Sequence, residues 1–177
     1  MNENWNVIEV LRHSRHDWLN RLQMIKGNLS LGKTEQALRV VDQIVMEMKQ
    51  EARLSNLRLP KMAEMLLTHN WEKHLFRIEY EIMSECGSFD IDDGLVTDWL
   101  QSLFDCLDRA SLPNHDNYLY LTMERQGDAV RFLFHYNGII KNTDELNNWV
   151  LDKNQSQIRA SLEQTDEGEW ILEAIVH

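Results

Sequence analysis

The sequence predicts an α+β protein built as a two-helix hairpin followed by a mixed helix-and-sheet domain. Three observations carry that expectation. Apolar residues recur at helical spacing in two successive stretches that end near Asn56. Beyond Leu59-Pro60, period-two alternation marks five short segments, with helical stretches between them. Charge divides at the same place: residues 1–58 hold nine Lys/Arg against seven Asp/Glu, and residues 59–177 hold nine against twenty-two. The expected domains are therefore 1–58 and 59–177, a weakly basic hairpin and a strongly acidic α+β unit.

The first helix is expected from Asn6 to about Leu31. Ile8, Leu11, Trp18, Leu22, Ile25 and Leu29 step by 3, 7, 4, 3 and 4, a heptad seam interrupted at Arg15. Gly32 ends it, and Thr34-Glu35 starts a second helix that runs to about Asn56. Ala37, Val41, Ile44, Val45, Met48 and Ala52 share one side of that helix. A three-residue turn makes the pair antiparallel. Two helices cannot enclose a core alone, so the expected solution is a homodimer whose two hairpins form a four-helix bundle.

In the second domain, Lys61–Leu75 is expected to be helical, and Phe76–Ser84 alternates like a strand. Ile91–Ala110 is amphipathic, with Leu95, Trp99, Leu103 and Leu107 at helical spacing. Tyr118–Arg125 and Val130–Asn137 flank Gln126-Gly127-Asp128 as a hairpin. A short helix at Asp144–Leu151 follows, then strands Gln157–Gln164 and Glu169–Val176 around Asp166-Glu167-Gly168. The sheet should be mostly antiparallel, with Trp71, Trp99, Trp149 and Trp170 in the core.

Bulk properties remove several functions. The net charge of −11 is wrong for binding a phosphate backbone. No apolar run reaches the roughly 18 residues that span a bilayer. The amino terminus lacks a basic leader, and Cys86 and Cys106 form no Cys-x-x-Cys pair, so a cytoplasmic protein without a disulfide framework or zinc site is expected. Asp90-Ile91-Asp92-Asp93-Gly94 lacks calcium-loop spacing and reads as capping acids at a helix start. Ser14 and Ser111 lack a nucleophile-elbow setting.

Arg12-His13-Ser14-Arg15-His16-Asp17-Trp18-Leu19-Asn20 is the segment that carries chemistry. At 100° per residue, His16 points about 130° away from the seam and should stand in solvent. Asn20 and His13 lie one turn on and one turn back. An exposed neutral imidazole is a nucleophile open to a partner's active site, although taken alone such a histidine is also an ordinary surface residue. His13-x-x-His16 as a metal pair would need a third ligand, and none is evident nearby.

The run from Arg15 to Gly32 decides between these readings. His16-Asp17-Trp18-Leu19-Asn20-Arg21-Leu22 and the residues that follow, to Gly32, resemble the phosphoacceptor box of the sporulation initiation phosphotransferase B family. Sensor kinases of the citrate and fumarate type carry a related string. The resemblance continues through Ser55-Asn56-Leu57, Asn70-Trp71 and Glu79-Tyr80-Glu81, and becomes looser past Ala110. It implies that His16 is phosphorylated, with His13 a non-acceptor neighbour. Arg12, Arg15, Asp17 and Asn20 become candidates for supporting contacts with the phosphoryl group or the partner.

The resemblance also implies that the second domain has the form of a kinase ATPase domain. Kinases of this lineage read Leu-Gly-Asn-Leu-Ile-Asp-Asn-Ala where this chain reads Leu103-Phe104-Asp105-Cys106-Leu107-Asp108-Arg109-Ala110, so Arg109 replaces the Mg-ATP asparagine. Tyr136-Asn137-Gly138-Ile139-Ile140 has Tyr136 where the adenine-reading aspartate would stand. No glycine lies between Gly138 and Gly168 to form a phosphate loop. The expectation is a degenerate ATPase-like domain and a phosphotransferase that binds no cofactor. Its partners would be response-regulator receivers: a single-domain donor, and an acceptor that regulates sporulation genes. The receiver would hold the Mg²⁺. The rivals are an ATP-dependent histidine kinase fragment and a non-enzymatic module that binds receivers.

Overall fold

The structure, a computed structural model, describes residues 6–83, 87–153, 157–164 and 169–177. Ser84, at the end of an expected strand, Cys86 and the turn Asp166-Glu167-Gly168 lie outside these residues. The chain divides into two compact units, Met1–Lys49 and Gln50–His177.

The first unit is the helical hairpin, with α1 at Val7–Ser30 and α2 at Thr34–Ser55. Asn6 caps α1: its side-chain oxygen accepts from the Glu9 amide at 3.0 Å, and its Nδ2 donates to the Glu9 carboxylate at 2.8 Å. The helix closes in a Schellman turn. The Lys33 amide reaches back to the Asn28 carbonyl and the Gly32 amide to that of Leu29, with Gly32 at φ +69°. Only a residue without Cβ adopts that backbone cheaply, so Gly32 sets the reversal. Arg21 of α1 pairs with Glu47 of α2 at 2.6 Å. No residue of α1 is buried, and Ile8, Leu11, Trp18, Leu22 and Leu29 of the seam are exposed.

The second unit begins inside α2. Its last turns belong to the core of this unit, where Leu54 and Leu57 are fully buried. The Gln50 side-chain oxygen accepts from the Ile82 amide, and Arg53 donates to the Ile82 carbonyl. α3 follows at Pro60–Thr68, with proline in the first turn, where its missing N–H costs nothing. The helix expected as far as Leu75 ends seven residues earlier, continuing only as a 3-10 turn at His69–Trp71. Asn70 is the cause: its side chain donates to the Ile78 carbonyl and accepts from the Ile78 amide, folding the chain back onto the first strand. Trp71, expected in the core, is therefore only half-buried.

The strands are β1 (Arg77–Ile82), β2 (Tyr118–Gln126), β3 (Ala129–Asn137), β4 (Ile158–Gln164) and β5 (Trp170–Val176). They form one sheet in the order β1-β2-β3-β5-β4. β1 and β2 are parallel and the other pairs antiparallel, so the sheet is mostly antiparallel as the alternation suggests. The parallel pair needs a long crossover, which α4 (Asp93–Ala110) supplies. α5 spans Thr143–Lys153. The inward rows of the sheet, such as Val130, Phe132, Phe134 and Tyr136, are buried with Leu100, Leu103 and Leu107 of α4. Trp99, Trp149 and Trp170 join this core.

The acids at the start of α4 cap, as expected, but not only their own helix. Asp92 accepts from the Leu95 amide, while the Asp93 carboxylate accepts from the Lys61 and Met62 amides at 2.9 and 3.0 Å. Asp93 thus supplies the side-chain cap that Leu59 cannot give α3. Buried Asn117 ties the far end of the domain, donating to the Leu75 and Leu112 carbonyls and accepting from the Ile139 amide. A Cβ on Gly138 would lie 2.4 Å from the Asn117 side-chain oxygen. Packing against Asn117 requires glycine there.

Candidate phosphoryl-acceptor site

His16 stands in the third of the six-odd turns of α1, and its side chain is 73% exposed. The seam turns to another side of the helix, so nothing in the hairpin's packing draws the imidazole inward. Asn20, one turn on, places its amide nitrogen 3.2 Å from His16 Nδ1. The Asp17 carboxylate lies 3.4 Å from the same nitrogen. Both contacts are at Nδ1, so Nε2, across the ring, is the atom presented away from the helix. Of the sequence-predicted site residues, His16, Asp17 and Asn20 come together. Arg12 and Arg15 are exposed on the same stretch of helix, and His13 is half-buried.

The nitrogen that a partner meets depends on the proton. When Nδ1 carries it and donates to the Asp17 carboxylate, Nε2 holds a lone pair. Turning the Asn20 amide by 180° lets its oxygen accept from Nδ1–H as well. The chemistry this arrangement supports is nucleophilic attack by Nε2 on an electrophile delivered from outside.

In the second domain, the positions that would read a nucleotide are engaged within the protein. Arg109 donates to Glu145 of α5 at 2.6 Å, and this carboxylate pushes the guanidinium pKa further up. The Tyr136 hydroxyl lies 2.6 Å from the Ser111 hydroxyl, and burial pushes the phenol up. In sequence Ser111 shows only that it lacks a nucleophile-elbow setting, and Glu145 carries no signal at all. Around Tyr136 the space beneath α4 is lined by Leu103, Leu107, Phe134, Leu146 and Trp170. Among the described residues, no group of three or more His, Cys, Asp and Glu could hold a metal ion. Nor is any of their helices long and apolar enough to cross a membrane. Cys106 is a free thiol, pushed up to about 11 by burial.

Two family models divide the chain between them. Residues 1–57 match the sensor kinase SpoOB-type alpha-helical domain, and residues 58–177 match "Sporulation initiation phospho-transferase B, C-terminal". A curated relative, sporulation initiation phosphotransferase B of Bacillus subtilis (strain 168), is 37% identical over 118 residues. That match takes in 67% of this chain, which spans 62% of the relative's length. Among solved structures, histidine kinase ThkA in complex with response regulator protein TrrA is 13% identical with a TM-score of 0.48, covering 95% of this chain and 60% of that one. Histidine kinase AdeS of Acinetobacter baumannii is 11% identical with a TM-score of 0.46, covering 91% and 96%.

Proposed function

The chain belongs to the sporulation initiation phosphotransferase B family, and from that premise we propose that it is a cytoplasmic phosphorelay transferase working through His16. A phosphoryl group passes from the phospho-aspartate of a single-domain receiver to His16 Nε2. It then moves to the aspartate of a second receiver, that of a transcription regulator in sporulation initiation. The observation that carries this reading is an imidazole engaged at Nδ1 on a side chain that is 73% exposed.

In the first step the Nε2 lone pair forms the P–N bond while the P–O bond to the donor aspartate breaks. The electron pair leaves on the carboxylate oxygen. The ring becomes cationic, and its proton stays on Nδ1, where the Asp17 carboxylate offsets the new charge. The second step reverses these bond changes on another aspartate. An acyl phosphate and a phosphoramidate are of comparable energy, so the exchange needs positioning and charge neutralisation and no nucleotide. Asp17 and Asn20 orient the ring; Arg12 and Arg15 offset phosphoryl charge. The receiver brings its own acidic pocket and Mg²⁺. Two hairpins pair through the exposed seam into a four-helix bundle, so each dimer displays His16 twice.

A kinase fragment is disfavoured by Arg109 and Tyr136, whose polar groups are committed to Glu145 and Ser111. A pure binding module is separated by experiment. Incubating the protein with a phosphorylated receiver should put acid-labile, base-stable label on this chain. A stable complex in which the label never leaves the receiver would establish the binding module instead.

A further inference from the structure

His69, in the 3-10 turn after α3, is 3% exposed, and its Nε2 is buried with no hydrogen-bond partner. Its ring lies flat on that of His74, with centroids 3.9 Å apart and planes 7° from parallel. Phe76 and Phe104 close the other sides at 4.7 and 4.9 Å. His74 is built differently. Its Nδ1 sits 2.6 Å from the Asp108 carboxylate of α4 and its Nε2 3.6 Å from Glu72. The second Asp108 oxygen accepts from the Leu75 amide at 2.7 Å. Asp108 and the two rings therefore fasten the segment 69–76 to α4.

The two imidazoles have unequal claims on a proton. His74 has a carboxylate at each ring nitrogen, and Asp108 above all holds its pKa above the usual histidine range. His69 hydrogen-bonds the Phe76 backbone with its ring, and burial, followed by the charge on His74, pushes its pKa down to about 4. A proton on His69 Nε2 would bury an N–H without an acceptor and set two positive charges face to face. The groups that face the pair are Asp108 from α4, Glu72 from the turn and, beyond Phe76, Tyr136 from β3. None of them reaches His69 Nε2.

We propose that the His69–His74 stack is a one-proton latch. A single proton on the pair, kept on His74, holds the 69–76 segment against α4, and a second proton in acid releases it. The direction follows from linkage. His69 is depressed below the ordinary 6.5, so its contribution is intact above that value and is lost as pH falls from 6.5 toward 4. His74 is raised, so its own contribution persists in acid and does not open the latch. With values of 6.5 and about 4, His69 alone should raise the opened population roughly 30-fold between about pH 7.5 and about pH 5, and the tightening that His74 adds over the same range cancels in a comparison with a chain that lacks only His69.

The test is hydrogen exchange on the whole 177-residue chain, following the 69–78 backbone at those two pH values after correction for intrinsic chemistry. The ratio of wild-type opening to that of His69→Phe should rise roughly 30-fold from the higher pH to the lower. His69→Phe, whose ring keeps the stack and cannot be protonated, should show no gain in opening in acid, because the remaining His74 only tightens the segment there. An acid response that is the same in the two proteins would overturn the proposal. Imidazole nitrogen shifts of the unmodified protein give an independent reading should the variant misfold. The latch requires His69 to stay neutral while the segment is closed. A His69 ring that titrates near the ordinary histidine value with the segment still protected contradicts it.

Discussion

Leu22→Asp should dissociate the proposed dimer. Leu22 lies in the middle of the α1 seam and is 56% exposed in the single chain, so roughly half of its apolar surface is available for burial by a second hairpin. Full burial of a leucine is worth about 1.5–3 kcal/mol, which scales to about 1 kcal/mol here and about 2 kcal/mol over the two copies in a symmetric dimer. The substitution also places two carboxylates in an apolar seam, and leaving buried charges unpaired costs several kcal/mol. A total near 5 kcal/mol raises the dimer Kd by roughly three to four orders of magnitude. Sedimentation velocity across a dilution series reads this directly. The second unit keeps its own core, so its unfolding transition should not move. A variant that stays dimeric with the wild-type Kd would show that the seam has been placed on the wrong face of α1.

Arg109→Asn should not create Mg-ATP binding on its own, because Tyr136 and the apolar lining remain. A saturable thermal shift with millimolar nucleotide would contradict that. Asp93→Ala removes the cap on two α3 amides and should destabilise the second domain by about 2 kcal/mol, read as a lower urea midpoint; an unchanged midpoint refutes the cap. Gly138→Ala drives a methyl group into Asn117 and should cost about 1–3 kcal/mol in the same assay. A neutral result would mean that Asn117 moves aside without loss.

The hairpin was legible in sequence because every signal for it is local. The two helices, Gly32 at the turn and the exposure of His16 all follow from spacing within one or two helical turns. The strands were legible for the same reason, since alternation reports the burial of a single segment. What escaped notice depends on residues distant in sequence. Asp93 was readable as an acid at a helix start, but not as the cap of α3, whose amides lie 31 and 32 residues away. Helical periodicity continued past Thr68, but Asn70 breaks the helix by binding Ile78, a choice that exists only once β1 is in the sheet. The His69–His74–Asp108 cluster joins two elements 34 residues apart and left no mark in composition or period. Arg109 was noticed for what it replaces, and its partner Glu145 emerges only from the packing of α5 on α4.

Whether His16 is the acceptor is tested most directly by label transfer from a phosphorylated receiver to wild type, His16→Gln and His13→Ala, with circular dichroism confirming the fold. His16 is off the seam and exposed, so its replacement should change stability by no more than about 0.5 kcal/mol while abolishing transfer. His13 is one turn back and displaced by about 4.5 Å along the helix axis, too far for the same in-line approach, and its loss should lower the rate only modestly. Label on wild type and His13→Ala, with none on His16→Gln, is the predicted result. Undiminished label on the His16 variant would contradict the account, whichever other histidine carried it.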